Sequence, residues 1–169
     1  MTHKKIIISI FFFIFLFNLC SHLKADNSEN YILVSVNNIK IIDGDTIRIG
    51  KNKIRLHGID SPEIKQKCKK PSGESYFCGN IAKNKLTDLI SENNIKCAIH
   101  GKDKYKRLIA TCYTKQININ DFMVREGWAL AYRKYSDAYI ISEEDAKINK
   151  KGLWGGSFVS PWRWRSKNR

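Results

Sequence analysis

Alternating apolar and polar residues, together with β-branched runs, predict short strands in the first third of the chain and again after its middle. The clearest alternation flanks the polar segment GKNK, which predicts a hairpin of two strands and a tight turn. A second predicted pair of strands is joined by the polar segment GKDKYK. The five strand-like runs are 31–42, 46–50, 53–59, 95–100 and 107–113.

Three helices are predicted from periodicity and from end signals. Apolar residues recur at helical spacing over about 80–92, which indicates an amphipathic helix. Asn118 or Asn120 is a candidate N-cap for a short helix that ends before Gly127. A last helix is predicted from 136 or 137 to 150.

The order of these elements predicts an α+β fold that is mainly β. Five short strands, a helix after the third strand and further helices at the end are typical of a small antiparallel barrel. The five-stranded member of that class that binds nucleic acids is the OB-fold. The chain has no internal repeat and no low-complexity linker, so we expect a single domain over 26–169.

The first 25 residues are excluded from that domain because they have the pattern of a signal peptide. Lys4 and Lys5 precede an apolar stretch over 6–19, and Ala25 is the expected last residue before cleavage. We therefore expect an exported protein, either periplasmic or secreted. After cleavage, no stable membrane association is expected, and the protein is expected to be a monomer.

The charge of the chain restricts its partners. The whole sequence has a net charge of +14, and the signal segment contributes three lysines and no acids, which leaves +11 on the remainder. This excess indicates an anionic partner such as nucleic acid, a lipid headgroup or an acidic polysaccharide. Charge alone does not choose among the three.

Four cysteines remain after removal of the signal segment, and an even number in an exported protein indicates two disulfides. Three pairings are open. We favour the sequence-local one, Cys68 with Cys78 and Cys97 with Cys112, because the second pair lies in adjacent predicted strands. None of the spacings is C-x-x-C, which argues against a zinc site.

Acidic residues accompany the predicted hairpin. With the turn at Lys51-Asn52, a regular register pairs Ile49 with Ile54, Ile47 with Leu56, Asp45 with Gly58 and Asp43 with Asp60. The isoleucines then face the core, and the acids gather at the open end of the hairpin. Asp43-Gly44 is interpreted as a bulge or bend. The alternative is that these acids are ordinary turn residues that bind nothing.

Gathered carboxylates repel one another unless a cation lies among them. A hard divalent ion, Ca²⁺ or Mg²⁺, fits a cluster that lacks histidine and cysteine. Arg55 and Arg107 add planar guanidinium groups suited to phosphate oxygens, and Tyr105 in the same basic loop can stack on a base. For an isolated arginine, a surface ion pair is the ordinary alternative.

Three segments in order resemble a known family. DGDT (43–46), IRLHGIDSPE (54–63) and DKYKRLIA (103–110) are similar to the active-site segments of the staphylococcal nuclease, or thermonuclease, family. The similarity continues through INDFMVREGWALAYRKY to LWGGSFVSPWRWR, as in exported bacterial members. The resemblance implies an OB-fold and a Ca²⁺-dependent phosphodiesterase that acts on DNA and RNA.

Residue by residue, the resemblance implies a calcium site. Asp45 and Asp60 would be carboxylate ligands, and Ser61 would add its backbone carbonyl. Ser61 stands where the family archetype has threonine, a difference that matters little because the ligand is a carbonyl. Asp43 would lie in the outer shell of the ion.

The same resemblance implies the catalytic residues. Glu63 would orient or deprotonate the attacking water, while Arg55 and Arg107 would bind the phosphate and stabilise charge in the transition state. Both functions are ones that phosphodiester cleavage requires on chemical grounds. An unperturbed glutamate has a pKa of about 4.3 and is a weak base at neutral pH, so both roles, positioning the water and taking its proton, stay open for Glu63.

Lys104 and Tyr105 match substrate-binding positions of the family. Tyr135 is a third candidate, although Tyr132 lies equally near the matching position. Two departures are visible: the first hairpin is shorter than in the archetype, and Lys106 replaces a glycine before the second arginine. The alternative function is a non-catalytic OB module that only binds nucleic acid.

Overall fold

One curled, mainly antiparallel sheet organises the protein, and three of its strands lie next to the candidate site. The computed structural model describes residues 31–168. The predicted signal segment and its cleavage point lie outside these residues. The strands are β1 (Tyr31–Val34), β2 (Ile39–Ile41), β3 (Thr46–Ile49), β4 (Asn52–Leu56), β5 (Ile59–Asp60), β6 (Lys67–Lys69), β7 (Ser75–Phe77), β8 (Ile95–Lys102), β9 (Leu108–Thr114), β10 (Ile117–Asn118) and β11 (Leu130–Ala131).

Seven strands form the main sheet in the order β1-β8-β9-β4-β3-β2, with β10 beside β9. Its pairings are antiparallel except for β4 with β9, which run parallel. Two small antiparallel pairs, β5 with β11 and β6 with β7, complete the described strands. The fold is therefore α+β and rich in strand, with the OB-like architecture that was predicted.

The described residues contain four α-helices. They are α1 (Cys78–Ile90), α2 (Ile119–Arg125), α3 (Ile140–Ile148) and α4 (Pro161–Lys167). Asn118 is the N-cap of α2 and accepts a hydrogen bond from the Asp121 amide at 3.1 Å, so one of the two predicted caps is confirmed. The fourth helix was not predicted, because a seven-residue segment with two tryptophans shows no helical periodicity.

The register of the first hairpin differs from the prediction. Ile47 pairs with Ile54 and Thr46 with Arg55, so the turn lies at Gly50-Lys51 and the pairings built on Lys51-Asn52 are wrong. Gly50 has φ +56°, the left-handed conformation that a two-residue hairpin turn needs at its first position. The observed partner of each residue is two positions away from the predicted one. Because side chains alternate with a period of two, each one keeps the face that was predicted.

The core lies between the sheet and the helices. Ile47, Ile54 and Leu56 of the hairpin are almost fully buried, and they share one cluster with Leu86 of α1 and Met123 of α2. In a second, smaller cluster, Leu153 and Trp154 pack against Cys68 and Cys78. Burial of each large aliphatic side chain stabilises the folded state by about 1.5–3 kcal/mol.

Both disulfides have the pairing that the sequence favoured. Cys97 and Cys112 face each other directly across β8 and β9. Cys68 and Cys78 join β6 to the start of α1, with their Cα atoms 5.6 Å apart. Among residues 31–168, no helix has the length and apolar character to cross a bilayer.

Candidate active site

The parallel pairing of β4 with β9 brings the acidic and basic segments of the sequence together. Arg55 pairs with Ile109, so the basic loop just before β9 lies beside the acidic end of the first hairpin. Between them is an open cleft of about 980 Å³. The cleft is lined by most of the predicted site residues, which are Asp43, Asp45, Arg55, Ser61, Glu63, Lys104, Tyr105, Arg107 and Tyr135.

Asp43 to Asp45 form the predicted bend, and a glycine lies at its centre for a steric reason. A Cβ atom on Gly44 would come within 2.1 Å of the Ser61 hydroxyl oxygen. This close approach lets Asp45 Oδ2 accept a hydrogen bond from the Ser61 amide at 2.9 Å. Asp45 is thereby held in a buried position against the segment that follows β5.

Arg55 connects the two predicted cation ligands. Its guanidinium donates to Asp45, and its Nη2 donates to Asp60 Oδ1 at 2.7 Å and to the Ile59 carbonyl at 3.2 Å. Burial alone would lower the pKa of Arg55, but the two carboxylates raise it above its ordinary value. Arg55 is therefore the permanent counter-ion of this acidic pair.

Asp60 does not line the cleft, because its side chain is fully buried behind the two arginines that hold it. The second of these is Arg165 of α4, whose Nη2 donates to Asp60 Oδ2 at 2.8 Å. Arg165 Nη1 also donates to Glu63 Oε1 at 2.9 Å. One guanidinium group thus spans a predicted ligand and the predicted catalytic glutamate.

Ionisation of Asp43 is disfavoured at its position beside the other acids. Burial, and after it the neighbouring Asp45 carboxylate, raises the pKa of Asp43 from 3.8 to about 7. Burial also raises the pKa of Asp60, although the hydrogen bond from Arg165 acts in the opposite direction. The described acids therefore form a crowded group in which added positive charge is favourable.

The backbone of Glu63 is held in place in addition to the ion pair of its side chain with Arg165. Gln66, which is completely buried, accepts from the Glu63 amide through Oε1 at 3.3 Å, and the Gln66 amide donates to the Glu63 carbonyl at 2.7 Å. A Cβ atom on Gly79 would come within 1.9 Å of that same carbonyl. The start of α1 therefore packs directly on the loop that carries Glu63.

Among residues 31–168, the side chain of Arg107 has its partners within its own loop. Its Nε donates to Asp103 Oδ2 at 2.8 Å, and its amide donates to Asp103 Oδ1 at 2.9 Å. Burial alone would raise the pKa of Asp103, but these hydrogen bonds lower it below the usual range. The Arg107 guanidinium also lies 5.6 Å from the centre of the Tyr105 ring, whose residue is 64% exposed.

Two tyrosines line the other side of the cleft. Tyr135 is 60% exposed and meets Tyr132 edge to face, with ring centres 4.9 Å apart. Tyr132 is stacked on Trp162 of α4, with centres 5.6 Å apart and planes inclined by 3°. The exposed ring of Tyr135 is therefore the one free to stack on a ligand, while Tyr132 is covered on one face.

Comparison with known proteins agrees with this arrangement. The profile of a family described as "Staphylococcal nuclease homologue" matches residues 53–156, which include Arg55, Asp60, Glu63 and Arg107. The chain belongs to the staphylococcal nuclease family. Membership in this nuclease family supports the hydrolysis of phosphodiester bonds in nucleic acids.

Several bacterial members of the nuclease family are similar over most of their length. An "Uncharacterized endonuclease" of Haemophilus influenzae is 35% identical over 139 residues, which cover 78% of this chain and 72% of that protein. The "Micrococcal nuclease" of Shigella flexneri is 34% identical over 150 residues, or 77% of this chain and 80% of that protein. An "Uncharacterized endonuclease" of Escherichia coli O157:H7 is 30% identical, with 75% and 82% covered.

The nuclease family is generally metal-dependent, so the acidic cluster must be tested for its fit to a cation. The donor set consists of carboxylates and backbone carbonyls, which suit a hard divalent ion. As the side chains stand, however, no group of three or more acidic, histidine or cysteine residues among residues 31–168 converges on one point. Guanidinium groups lie between the carboxylates instead.

Two positioning residues were missed by sequence reasoning. Arg165 lies in the segment PWRWR, to which no site role was assigned, and no local pattern distinguishes it from Arg163. Gln66 lies in a lysine-rich loop, yet its Nε2 donates to the Val159 carbonyl at 2.6 Å. Both contacts join residues far apart in sequence, so neither has a local signal.

Proposed function

We propose that this protein is an exported Ca²⁺-dependent nuclease that hydrolyses both DNA and RNA. The observation that carries the proposal is the single cleft in which the acidic end of the first hairpin faces a basic, aromatic loop. This juxtaposition supplies negative groups for a cation and positive groups for a phosphate within one site.

In this proposal, Asp45 and Asp60 hold the cation together with the backbone carbonyl of Ser61, and Asp43 acts from its outer shell. The bound ion would supply positive charge next to the scissile phosphate. The position of Asp43 supports this assignment, because it lies on the same bend as Asp45 and its Oδ1 accepts a hydrogen bond from the Asp45 amide at 3.0 Å.

Glu63 orients the attacking water and accepts its proton. Its side chain is about one-third exposed and reaches the cleft, where water has access. Arg107 contacts the phosphate and stabilises the charge that develops on its oxygens, since its guanidinium is free of the acidic cluster. Arg55 adds charge from the opposite side while it holds Asp45 and Asp60 in place.

The substrate extends along the basic side of the cleft. Lys104 contacts the phosphate backbone, and the exposed rings of Tyr105 and Tyr135 stack on bases. Stacking depends on neither the sugar nor the base sequence, which is consistent with cleavage of both DNA and RNA. The net charge of the chain attracts either polyanion.

Export and a monomeric state are also part of the proposal. The two disulfides support an oxidising compartment. The basic and apolar pattern of the first 25 residues supports cleavage near Ala25.

A digestion series tests the proposed function. The purified protein is incubated with linear DNA and with RNA in Ca²⁺, in Mg²⁺ and in excess chelator. We expect Ca²⁺-dependent cleavage of both substrates and none in chelator. Salt-sensitive binding without cleavage under every condition would instead establish the non-catalytic binding module.

A further inference from the structure

Arg165 is the only charged residue of α4 that the structure places in the cleft, and it lies outside the segment that the family profile matches. Its guanidinium forms ion pairs with Asp60 and Glu63 at 2.8 Å and 2.9 Å. The two carboxylates that it joins are the ones that the proposed chemistry needs most. Its position therefore calls for a functional explanation.

The hydrogen bonds of Asp60 show which of its oxygens Arg165 occupies. Asp60 Oδ1 is taken by Arg55, and Asp60 Oδ2 is taken by Arg165. A cation held by Asp45 and Asp60 would lie within a few ångströms of the Arg165 guanidinium, which donates to Asp60 Oδ2, and like charges at that separation repel strongly in a partly buried site. A cation and the guanidinium group therefore compete for Asp60.

We propose that Arg165 is a built-in counter-ion, which holds Asp60 and Glu63 in the cation-free protein and is displaced when a divalent cation binds. The proposal deepens the function proposed above and depends on its cation site. In the cation-free state Arg165 offsets the repulsion among the buried acids. In the loaded state its side chain leaves the carboxylates. The measured affinity for the cation therefore reflects how much more strongly the carboxylates bind the cation than the Arg165 guanidinium.

The attachment of α4 allows this displacement. The helix has seven residues and is held at its first turn, where Pro161 is buried and Trp162 stacks on Tyr132. Arg165 lies one turn further on, and 29% of its side chain is exposed. Its side chain can therefore swing into solvent while the first turn of α4 stays packed.

The test is a Ca²⁺ titration by calorimetry without nucleic acid, on the wild-type protein, on Arg165→Gln and on Arg163→Gln. Arg163 is a matched control, because it is exposed on the same helix and loses the same formal charge. We expect Arg165→Gln to bind Ca²⁺ about tenfold more tightly than Arg163→Gln. Arg165→Lys should be intermediate, because it keeps the charge but loses the fork that reaches both carboxylates.

Thermal unfolding in excess chelator gives a second readout. Loss of the counter-ion should lower the Tm of Arg165→Gln by about 3 °C or more relative to Arg163→Gln, and saturating Ca²⁺ should remove that difference. Equal Ca²⁺ affinities in the two variants, with the wild type binding normally, would overturn the inference and leave the proposed function intact. Absence of Ca²⁺ binding in every protein would overturn both.

Discussion

Arg55 and Arg107, on the two sides of the cleft, are held by different kinds of contact. Arg55 is mostly buried and donates to carboxylates on β5 and on the bend before β3, so it ties together separate parts of the fold. Arg107 pairs with Asp103 four residues away and touches an exposed tyrosine. The first arginine is part of the scaffold as well as of the site, whereas the second is held only by its own loop.

The same contrast is present in the acids. Burial and a neighbouring carboxylate raise the pKa of Asp43 on the hairpin side. On the loop side, hydrogen bonds from Arg107 lower the pKa of Asp103. The acids of the hairpin side are therefore crowded and buried, and arginines from two different elements offset their charge, whereas Asp103 is paired within its own loop. We infer that substitution of the buried Arg55 affects folding and activity together, while substitution of Arg107 affects activity with little change in stability.

The largest expected effect is that of Arg55→Gln. Removal of this guanidinium leaves Asp45 and Asp60 buried without a shared partner, which should cost about 3 kcal/mol of unfolding free energy. Activity should fall by about 10³-fold or more, as expected for an arginine that stabilises a phosphoryl transition state. Urea denaturation and DNA-cleavage rates measure the two quantities. An unchanged stability would contradict the scaffold role.

Arg107→Gln should reduce activity without a comparable loss of unfolding free energy. Its activity loss should again be about 10³-fold, because the guanidinium is proposed to contact the phosphate. Its unfolding free energy should change by less than about 1 kcal/mol, since the pair with Asp103 is local and partly exposed. Arg48→Gln, at an exposed position on β3, is the control and should change neither. A destabilisation of Arg107→Gln as large as that of Arg55→Gln would contradict the inference that only Arg55 of these two arginines holds the fold together.

The smallest effect is a pH-dependent one at Asp103. Its pKa in the folded protein lies below 3.8, so its charge stabilises the fold above that pH, and the contribution disappears as the pH falls through the folded pKa. Asp103→Asn should therefore lower the Tm by about 1–3 °C at pH 7. The difference from wild type should shrink as the pH falls below 3.8 and through the folded pKa of Asp103. A constant difference across this range would show that the ion pair does not contribute.

Local patterns in the sequence predicted much of this molecule. The acids at 43, 45, 60 and 63 and the arginines at 55 and 107 lie in short segments whose order and spacing are specific. The cap at Asn118 and the two disulfides also rest on local signals. These features were predictable because residues close in sequence, or in adjacent strands, decide them.

What could not be predicted depends on contacts over long distances or on backbone conformation. The hairpin register followed from the positive φ of Gly50, and hydrophobic alternation does not distinguish this turn from one a single residue later, which moves each cross-strand pair by two residues. The contacts of Arg165 with Asp60 and Glu63 join residues more than a hundred positions apart. Their geometry arises only after the sheet has brought α4 to the cleft.

The most direct test of the account is the cleavage rate of Glu63→Gln in saturating Ca²⁺, compared with that of Glu74→Gln. Glu74 is an exposed glutamate that pairs only with Lys70 among the described residues, so it controls for the loss of one acid. The account predicts a loss of about 10²–10⁴-fold for Glu63→Gln, with unchanged folding, and no loss for Glu74→Gln. Full activity in Glu63→Gln would contradict the assignment of this cleft as the catalytic centre.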